Sequence, residues 1–455
     1  MTFLARATIA LGHLVAMPLV AQSGGIADSL PRLMRVEALV QQRLHQDAGK
    51  LWGARLDTIP LLLTDGTRAI ASRDPRQPAF ERATGGWFVG DLPKGMVVAN
   101  TSVSWAGRRW AMIRLPLPED TTLAIRLVIH ERWHAIQPDV LPLPKYNQFD
   151  AGAALLDHPD GRIWLRLEWR ALAAALRARP GSRDERTATV DAIAFRARRY
   201  ALATPAERER ERLLDLDEGM PEYTAWRLSN SSAAALSEQL QTAAPAATGF
   251  GRSFQYYTGP AYGYLLDRRS ARWRAQLRTQ LDVQGALAEL LGRDRIRLGG
   301  WLNGTDSVAL AKAAERSGGR YGLHEVRAEE LQRWQAMEQR LALLRVRYLD
   351  GPTLRLRPKL VNISFDPNLA TTLGDSGTVY GTLSWKGPND AVLDASSGAF
   401  VNATWSELRV PLDAVRPTAG VLAEVTTWRG EGWTLTLPVG WRVEALGESW
   451  VLTPP

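Results

Sequence analysis

Apolar residues recur at spacings of three and four from residue 26 to about residue 52. Leu30, Leu33, Met34, Val36, Leu39, Val40 and Leu44 mark one face of a helix there. The period then shortens to two. Residues 56–64 and 67–72 flank Asp65-Gly66, a hairpin dipeptide, and residues 96–105 and 109–115 flank Ala106-Gly107. A leading helix and a small sheet are expected, with Pro116 and Pro118 closing the last strand. Asp120 is placed to cap a helix that starts at Thr121. Leu123, Leu127, His130 and His134 follow one face of it, while Ile125, Val128, Ile129, Trp133 and Ile136 cover most of the remainder. A helix that is apolar nearly all round is a buried one.

After a Pro-rich loop and a turn at Asp160-Gly161, helical patterns cover residues 162–179, 186–202, 205–228, 271–292 and 324–346. The texture changes near Leu349. Residues 353–357, 361–365, 378–385, 421–428 and 433–438 show β alternation cut by Gly, Pro, Asn and Asp, the pattern of an antiparallel sandwich. The expected fold class is α+β and multidomain: residues 24–119 as an N-terminal β-rich lobe with an edge strand, 120–348 as a helical lobe, and 349–455 as a C-terminal β domain. A length of 455 residues exceeds what one hydrophobic core organises, which agrees with several domains.

Composition narrows the chemistry. The chain has no Cys, which excludes a disulfide framework, a thiolate metal site and a cysteine nucleophile. Its net charge of +8 comes almost wholly from Arg, mixed with acids as in Glu207-Arg208-Glu209-Arg210-Glu211-Arg212. That run reads as a solvated, salt-bridged helix face, so no nucleic-acid partner is expected. Arg6 is followed by an apolar run over residues 7–21, interrupted by His13 and Pro18, and then by Ala21-Gln22-Ser23-Gly24. This is the order of a secretory signal peptide over residues 1–23, so an exported protein, periplasmic or secreted, is expected. No later apolar run reaches the length of a membrane span, so no transmembrane anchor is expected.

Six His occur in the chain, and two of them stand in Val128-Ile129-His130-Glu131-Arg132-Trp133-His134. On a helix, residues four apart share a face, so His130 and His134 can offer two imidazoles to one metal ion. Glu131 projects beside them, where a carboxylate can take a proton from a metal-bound water. One Zn²⁺ ion suits this nitrogen-rich set, and without Cys the remaining ligand has to be a carboxylate or a third His.

The H-E-x-x-H, together with Leu214-Asp215-Leu216-Asp217-Glu218-Gly219-Met220-Pro221-Glu222-Tyr223, resembles the gluzincin class of zinc metallopeptidases, which contains thermolysin and the aminopeptidase-like enzymes. The resemblance implies Glu218 as third ligand and Glu222 as the acceptor that orients a ligand imidazole. It also implies a transition-state role for Tyr256 in Tyr256-Tyr257-Thr258-Gly259, with Tyr257 and Tyr262 as alternates. Pro221 departs from the class and predicts a bend, and the stretch between His134 and Glu218 is long enough for two extra helices. A rival third ligand is Glu168, whose other reading is a helix carboxylate paired with an Arg. His324 is a further donor by residue type only, and the Gly-x-Met-Glu-Asn segment of true aminopeptidases is absent. The function expected is a zinc metallohydrolase, a peptidase acting on peptide or protein substrates, with Glu131 as general base; the same chemistry would serve a non-peptide amide. Residues 96–105 would pair with an extended peptide. The alternative is a non-catalytic exported binding protein with a structural zinc and a β-rich recognition domain.

Overall fold

A computed structural model of the chain describes residues 29–93, 96, 98–144, 154–246, 250, 251, 253–270, 272–281, 286, 290, 307–357, 362–366, 369–413 and 415–455. Residues 1–23, expected as a signal peptide, and most of residues 282–306 lie outside them. The fold is mixed α and β, with an N-terminal β region, a helical middle and a C-terminal antiparallel β domain. It forms two compact units, Met1–Glu330 and Leu331–Pro455.

In the first unit, α1 (Leu30–Asp47) buries Leu30, Leu33, Val36, Val40 and Leu44 of the face its periodicity marks, while Met34 is half-buried and Leu39 is exposed. Six strands follow: β1 (Leu61–Thr64), β2 (Arg68–Ala71), β3 (Phe80–Arg82), β4 (Phe88–Asp91), β5 (Thr101–Trp105) and β6 (Arg108–Arg114). They form one sheet in the order β3-β4-β2-β1-β6-β5, in which only β1 and β6 run parallel. Both hairpin dipeptides make their turns, with Gly66 at φ +105° and the Ala106-Gly107 pair at φ 50° and 72°. The strand expected over 96–105 is the edge strand β5. Alternation divides the sheet between two cores: Leu61, Leu63, Ile70, Ala111 and Ile113 face the helices, while Leu62, Ala69, Trp110 and Met112 build the opposite side with β3 and β4.

The helical part begins with α2 (Thr121–Val140), capped by the Asp120 carboxylate, which accepts from the Leu123 N–H at 2.8 Å. Then come α3 (Ala154–Asp157), α4 (Pro159–Arg177), α5 (Arg183–Leu202) and α6 (Pro205–Leu214). The turn expected at Asp160-Gly161 is instead the first turn of α4. Gly161 is needed there because a Cβ would lie 1.9 Å from the Leu155 carbonyl oxygen in α3. The helix expected over 205–228 is interrupted by a π turn at Asp215–Gly219 before α7 (Met220–Leu228). Pro221 has no N–H and crowds the turn before it, and a wider turn accommodates that. The helices α3, α8 (Ala233–Ala246) and α9 (Gln255–Asp267), and one at Ser307–Gly318, were not expected; Gly259 and Pro260 argue against a helix at α9. The helix expected at 271–292 is described as α10 (Trp273–Gln280), and it is followed by α11 (Ser307–Gly318) and α12 (Leu323–Arg345).

In the second unit, an eight-stranded and a five-stranded sheet share a core of Leu354, Leu356 and Val410 against Trp385, Leu393 and Leu435. All its strand pairs are antiparallel except Ser449–Thr453 with Thr353–Leu356. The strand expected over 378–385 divides into Gly377–Tyr380 and Leu383–Lys386, one in each sheet. The chain crosses at Gly381, where a Cβ would lie 2.8 Å from the Leu369 side chain.

One contact in the helical part is unusually close. A Cβ on Gly259 of α9 would lie 2.4 Å from both Cα and O of Gly219 in the π turn. Gly259→Ala is therefore expected to destabilise the protein by about 1–3 kcal/mol through overpacking, read as a lower urea midpoint at unchanged slope. A midpoint equal to that of the wild type would show that the two elements separate freely.

Candidate metal centre

The two residues between Glu131 and His134 anchor the back of α2. Arg132 donates to the Ile59 carbonyl at 3.0 Å and pairs with Glu37 of α1, while Trp133 packs against Trp52 with ring centroids 4.6 Å apart. Arg109 of β6 reaches across to the Ala135 carbonyl at 2.6 Å and to Asp139. So fixed, α2 turns His130 and His134 towards α7. The two helices run antiparallel, and their facing rows match in steps of four: Arg126 lies over Trp226, His130 bonds Glu222, and His134 approaches Glu218.

His130, His134 and Glu218 form a buried group that can hold a metal ion. His130 Nε2 is 3.1 Å from His134 Nε2 and 3.2 Å from Glu218 Oε2, and the third edge is 3.5 Å. A tetrahedral ion with bonds of about 2.0–2.2 Å spaces its ligand atoms by about 3.3–3.6 Å. The triangle is close to one face of that tetrahedron. The outer nitrogens fix the tautomers. His130 Nδ1 faces Glu222 Oε2 at 3.0 Å, an acceptor, so the proton sits on Nδ1 and the Nε2 lone pair is free for a metal. For His134 a longer relay does the same. Asp217 Oδ1 accepts from Gln137 Nε2 at 2.9 Å, which turns Gln137 Oε1 to His134 Nδ1 at 2.8 Å. Glu222 in turn accepts from the Trp226 indole N–H at 3.0 Å.

Glu131 is 1% exposed, and its Oε2 has no hydrogen-bond partner. Burial pushes this carboxyl up to about 7, with the His130 and His134 charges pulling the other way. Glu218 is held well below the usual carboxylate range, because the two imidazoles outweigh its burial. His130 shows the reverse balance: burial opposes its charge, but the bonds to Glu218 and Glu222 and the nearby acids raise it to about 10. The carboxylates around the two imidazoles thus favour protonated imidazole in the metal-free site, where a divalent metal ion would supply the positive charge instead.

The chain matches no protein-family model, no curated protein and no solved structure.

The remaining candidates separate cleanly. Tyr256 of α9 donates to Glu218 Oε2 at 2.8 Å and stacks on His130, ring centroids 5.6 Å apart. Burial and Glu218 push its hydroxyl well above the usual phenol value, so it stays a donor. Tyr257 packs on Trp169 instead, and Tyr262 donates to Glu168 at 2.8 Å. Glu168 is away from the metal group: Arg196 at 2.9 Å and Arg199 at 2.6 Å hold it, as its arginine-paired reading requires. His324 is exposed on the first turn of α12. The Glu207–Arg212 run is solvated only in part, because Glu211 is buried against Arg199 while Arg212 pairs with Glu209 at the surface. Sequence reasoning missed Gln137, Asp217 and Trp226. Gln137 lies three residues beyond His134, a spacing that puts both on one helix face and would have flagged it.

Two outcomes follow from this charge balance. His130 has its folded-state pKa at about 10 against an ordinary 6.5, so its stabilising contribution is complete below the lower value and is lost as pH rises through the upper one. Chelator-treated protein is expected to melt at progressively lower temperature across that window, and metal-loaded protein to lack the slope; a flat metal-free profile would contradict the balance. Gln137→Leu is expected to weaken metal binding about ten- to a hundredfold in a competition titration, since it frees the His134 tautomer. Unchanged affinity would make the Asp217–Gln137 relay idle.

Proposed function

We propose that the protein is an exported zinc metallohydrolase of gluzincin type that cleaves peptide bonds. The observation that carries this reading is the buried, unpartnered Oε2 of Glu131 beside a three-ligand group. Among the described residues no fourth His, Asp or Glu joins the three, which leaves a coordination position free, as catalytic zinc requires. A structural zinc would have no use for Glu131. Nitrogen-rich ligation with one carboxylate and no sulfur suits Zn²⁺. Export rests on the signal-peptide pattern at the start of the sequence.

Zinc bound by His130, His134 and Glu218 would polarise the scissile carbonyl and lower the pKa of its water towards ~7. Glu131 accepts the proton of the attacking water at Oε2 and later delivers it to the leaving amine; its burial, which raises the carboxyl above the usual carboxylate range, suits it to both transfers. Tyr256 turns its hydroxyl from Glu218 to the oxyanion that develops on the attacked carbonyl. Glu222 and Gln137 keep both imidazoles in the metal-binding tautomer. The edge strand β5 packs beside α2 and offers an unpaired backbone edge to an extended substrate.

Glu131→Gln is expected to retain zinc at the wild-type stoichiometry and to lose turnover of a peptide library by at least about a hundredfold. Full activity at equal zinc content would sink the general-base role. Glu218→Ala is expected to lose zinc on dialysis, and retention at wild-type affinity would remove Glu218 from the ligand set.

A further inference from the structure

The row of α2 that carries the two metal-ligand histidines starts one turn earlier, at Arg126. His130 and His134 each meet a carboxylate of the facing helix, but Arg126 meets the ring of Trp226, with its guanidinium carbon 4.1 Å from the centroid. The stack satisfies one face of the guanidinium and none of its N–H groups. Its Nη1 is buried without a partner, and no hydrogen bond or ion pair to an acid is formed by this half-buried side chain among the described residues. Burial holds its pKa below the usual guanidinium value, with the Glu222, Asp120 and Tyr264 charges offsetting that only in part. Four buried arginines of this unit meet acids, Arg162 and Arg166 at Glu330, Arg196 at Glu168 and Asp215, and Arg199 at Glu168 and Glu211. Half-buried Arg198, stacked on Trp164 and carried by α5 rather than by the metal-ligand row, resembles Arg126 in having no acid bonded to it among the described residues. An arginine fork left half-desolvated on the metal-ligand row has the donor geometry for a bidentate carboxylate and, among the described residues, no acid of the protein's own bonded to it.

We infer that Arg126 is a specificity-determining residue that receives a carboxylate of the substrate within about two residues of the scissile bond. The inference rests on the metallopeptidase reading. Four residues of helix put Arg126 about 6 Å along α2 from His130, which an extended peptide covers in about two residues. The carboxylate comes either from the substrate's C-terminus or from an acidic side chain, and both present the same planar acceptor.

The test separates this inference from the reading on which it stands. Zinc-loaded Glu131→Gln protein is titrated with an N-acetylated tripeptide as the free acid, as the C-terminal amide, and as an amide carrying a Glu in the middle position. Tighter binding of a carboxylate-bearing peptide than of the plain amide, by about tenfold or more, is the expected result. Preference for the free acid alone assigns the C-terminus, and preference for the Glu-containing amide assigns the side chain. In the same background Arg126→Gln is expected to abolish the preference at unchanged zinc content, and Arg126→Lys to keep part of it. Equal binding of all three peptides, or a preference that survives in Arg126→Gln, overturns the inference even where wild-type protein cleaves peptides. A preference that depends on Arg126 in a protein that cleaves none leaves the carboxylate site standing and removes the peptidase reading.

Discussion

Charge balance in a dry place governs this molecule. Glu131, Glu218 and Glu222 surround two imidazoles inside the helical lobe, where an uncompensated carboxylate is costly. A cation held at the inner nitrogens would offset much of this charge, and without a metal protonation of the imidazoles offsets part of it. Other local features follow from bringing those groups together. Gly219 and Gly259 have no side chains where the π turn meets α9, which lets Tyr256 reach Glu218. The outer nitrogens are committed to Glu222 and Gln137, so the inner nitrogens converge at 3.1 Å, where a proton or a metal ion can lie between them.

A second buried charge system holds the turn that carries the third ligand. Arg196 bridges Glu168 of α4 and Asp215 at the start of the π turn, Arg199 bridges Glu168 and Glu211, and the Thr258 hydroxyl meets Asp215 at 3.3 Å. Such ion pairs contribute little net stability, because desolvation offsets their attraction; their value is a fixed geometry. Here they tie α4, α5, α6 and α9 to the segment from which Glu218 projects three residues later. The long stretch between His134 and Glu218, a departure from the gluzincin pattern, thus contains the helices that brace the Glu218 turn.

The elements legible in the sequence were those whose pattern reports burial directly. The face of α1, the two hairpins, the Asp120 cap and the all-round apolar α2 could be read because period and turn chemistry agree with the tertiary surroundings. The three metal-group residues and Glu222 could be named, but not the relay behind His134: Gln137 shares a helix face with it, yet the link from Gln137 to Asp217 joins residues 80 positions apart. The π turn was visible only as an awkward proline. Gly161 misled, because it answers to the neighbouring Leu155 backbone and not to a local turn. Strands 378–385 and 421–428 were read as single runs for a related reason. Alternation continues through residues where the chain passes from one sheet to the other, and only pairing partners reveal the corner.

The antiparallel match of α2 and α7 makes sense of Pro221, the strongest departure from the expected pattern. Arg126 with Trp226, His130 with Glu222, and His134 with Glu218 keep step because both helices advance four residues per rung. Pro221 stands between the two acidic rungs and removes an N–H from the turn before it. Had the helix kept its α pitch against that ring, the turn before Pro221 would have been crowded. The π turn places the irregularity at Asp215–Gly219, where the Arg196–Asp215 pair and the Gly219–Gly259 contact hold it from two sides. The register from Glu222 onward is then that of an ordinary helix, and the two acids still reach opposite nitrogens of one imidazole.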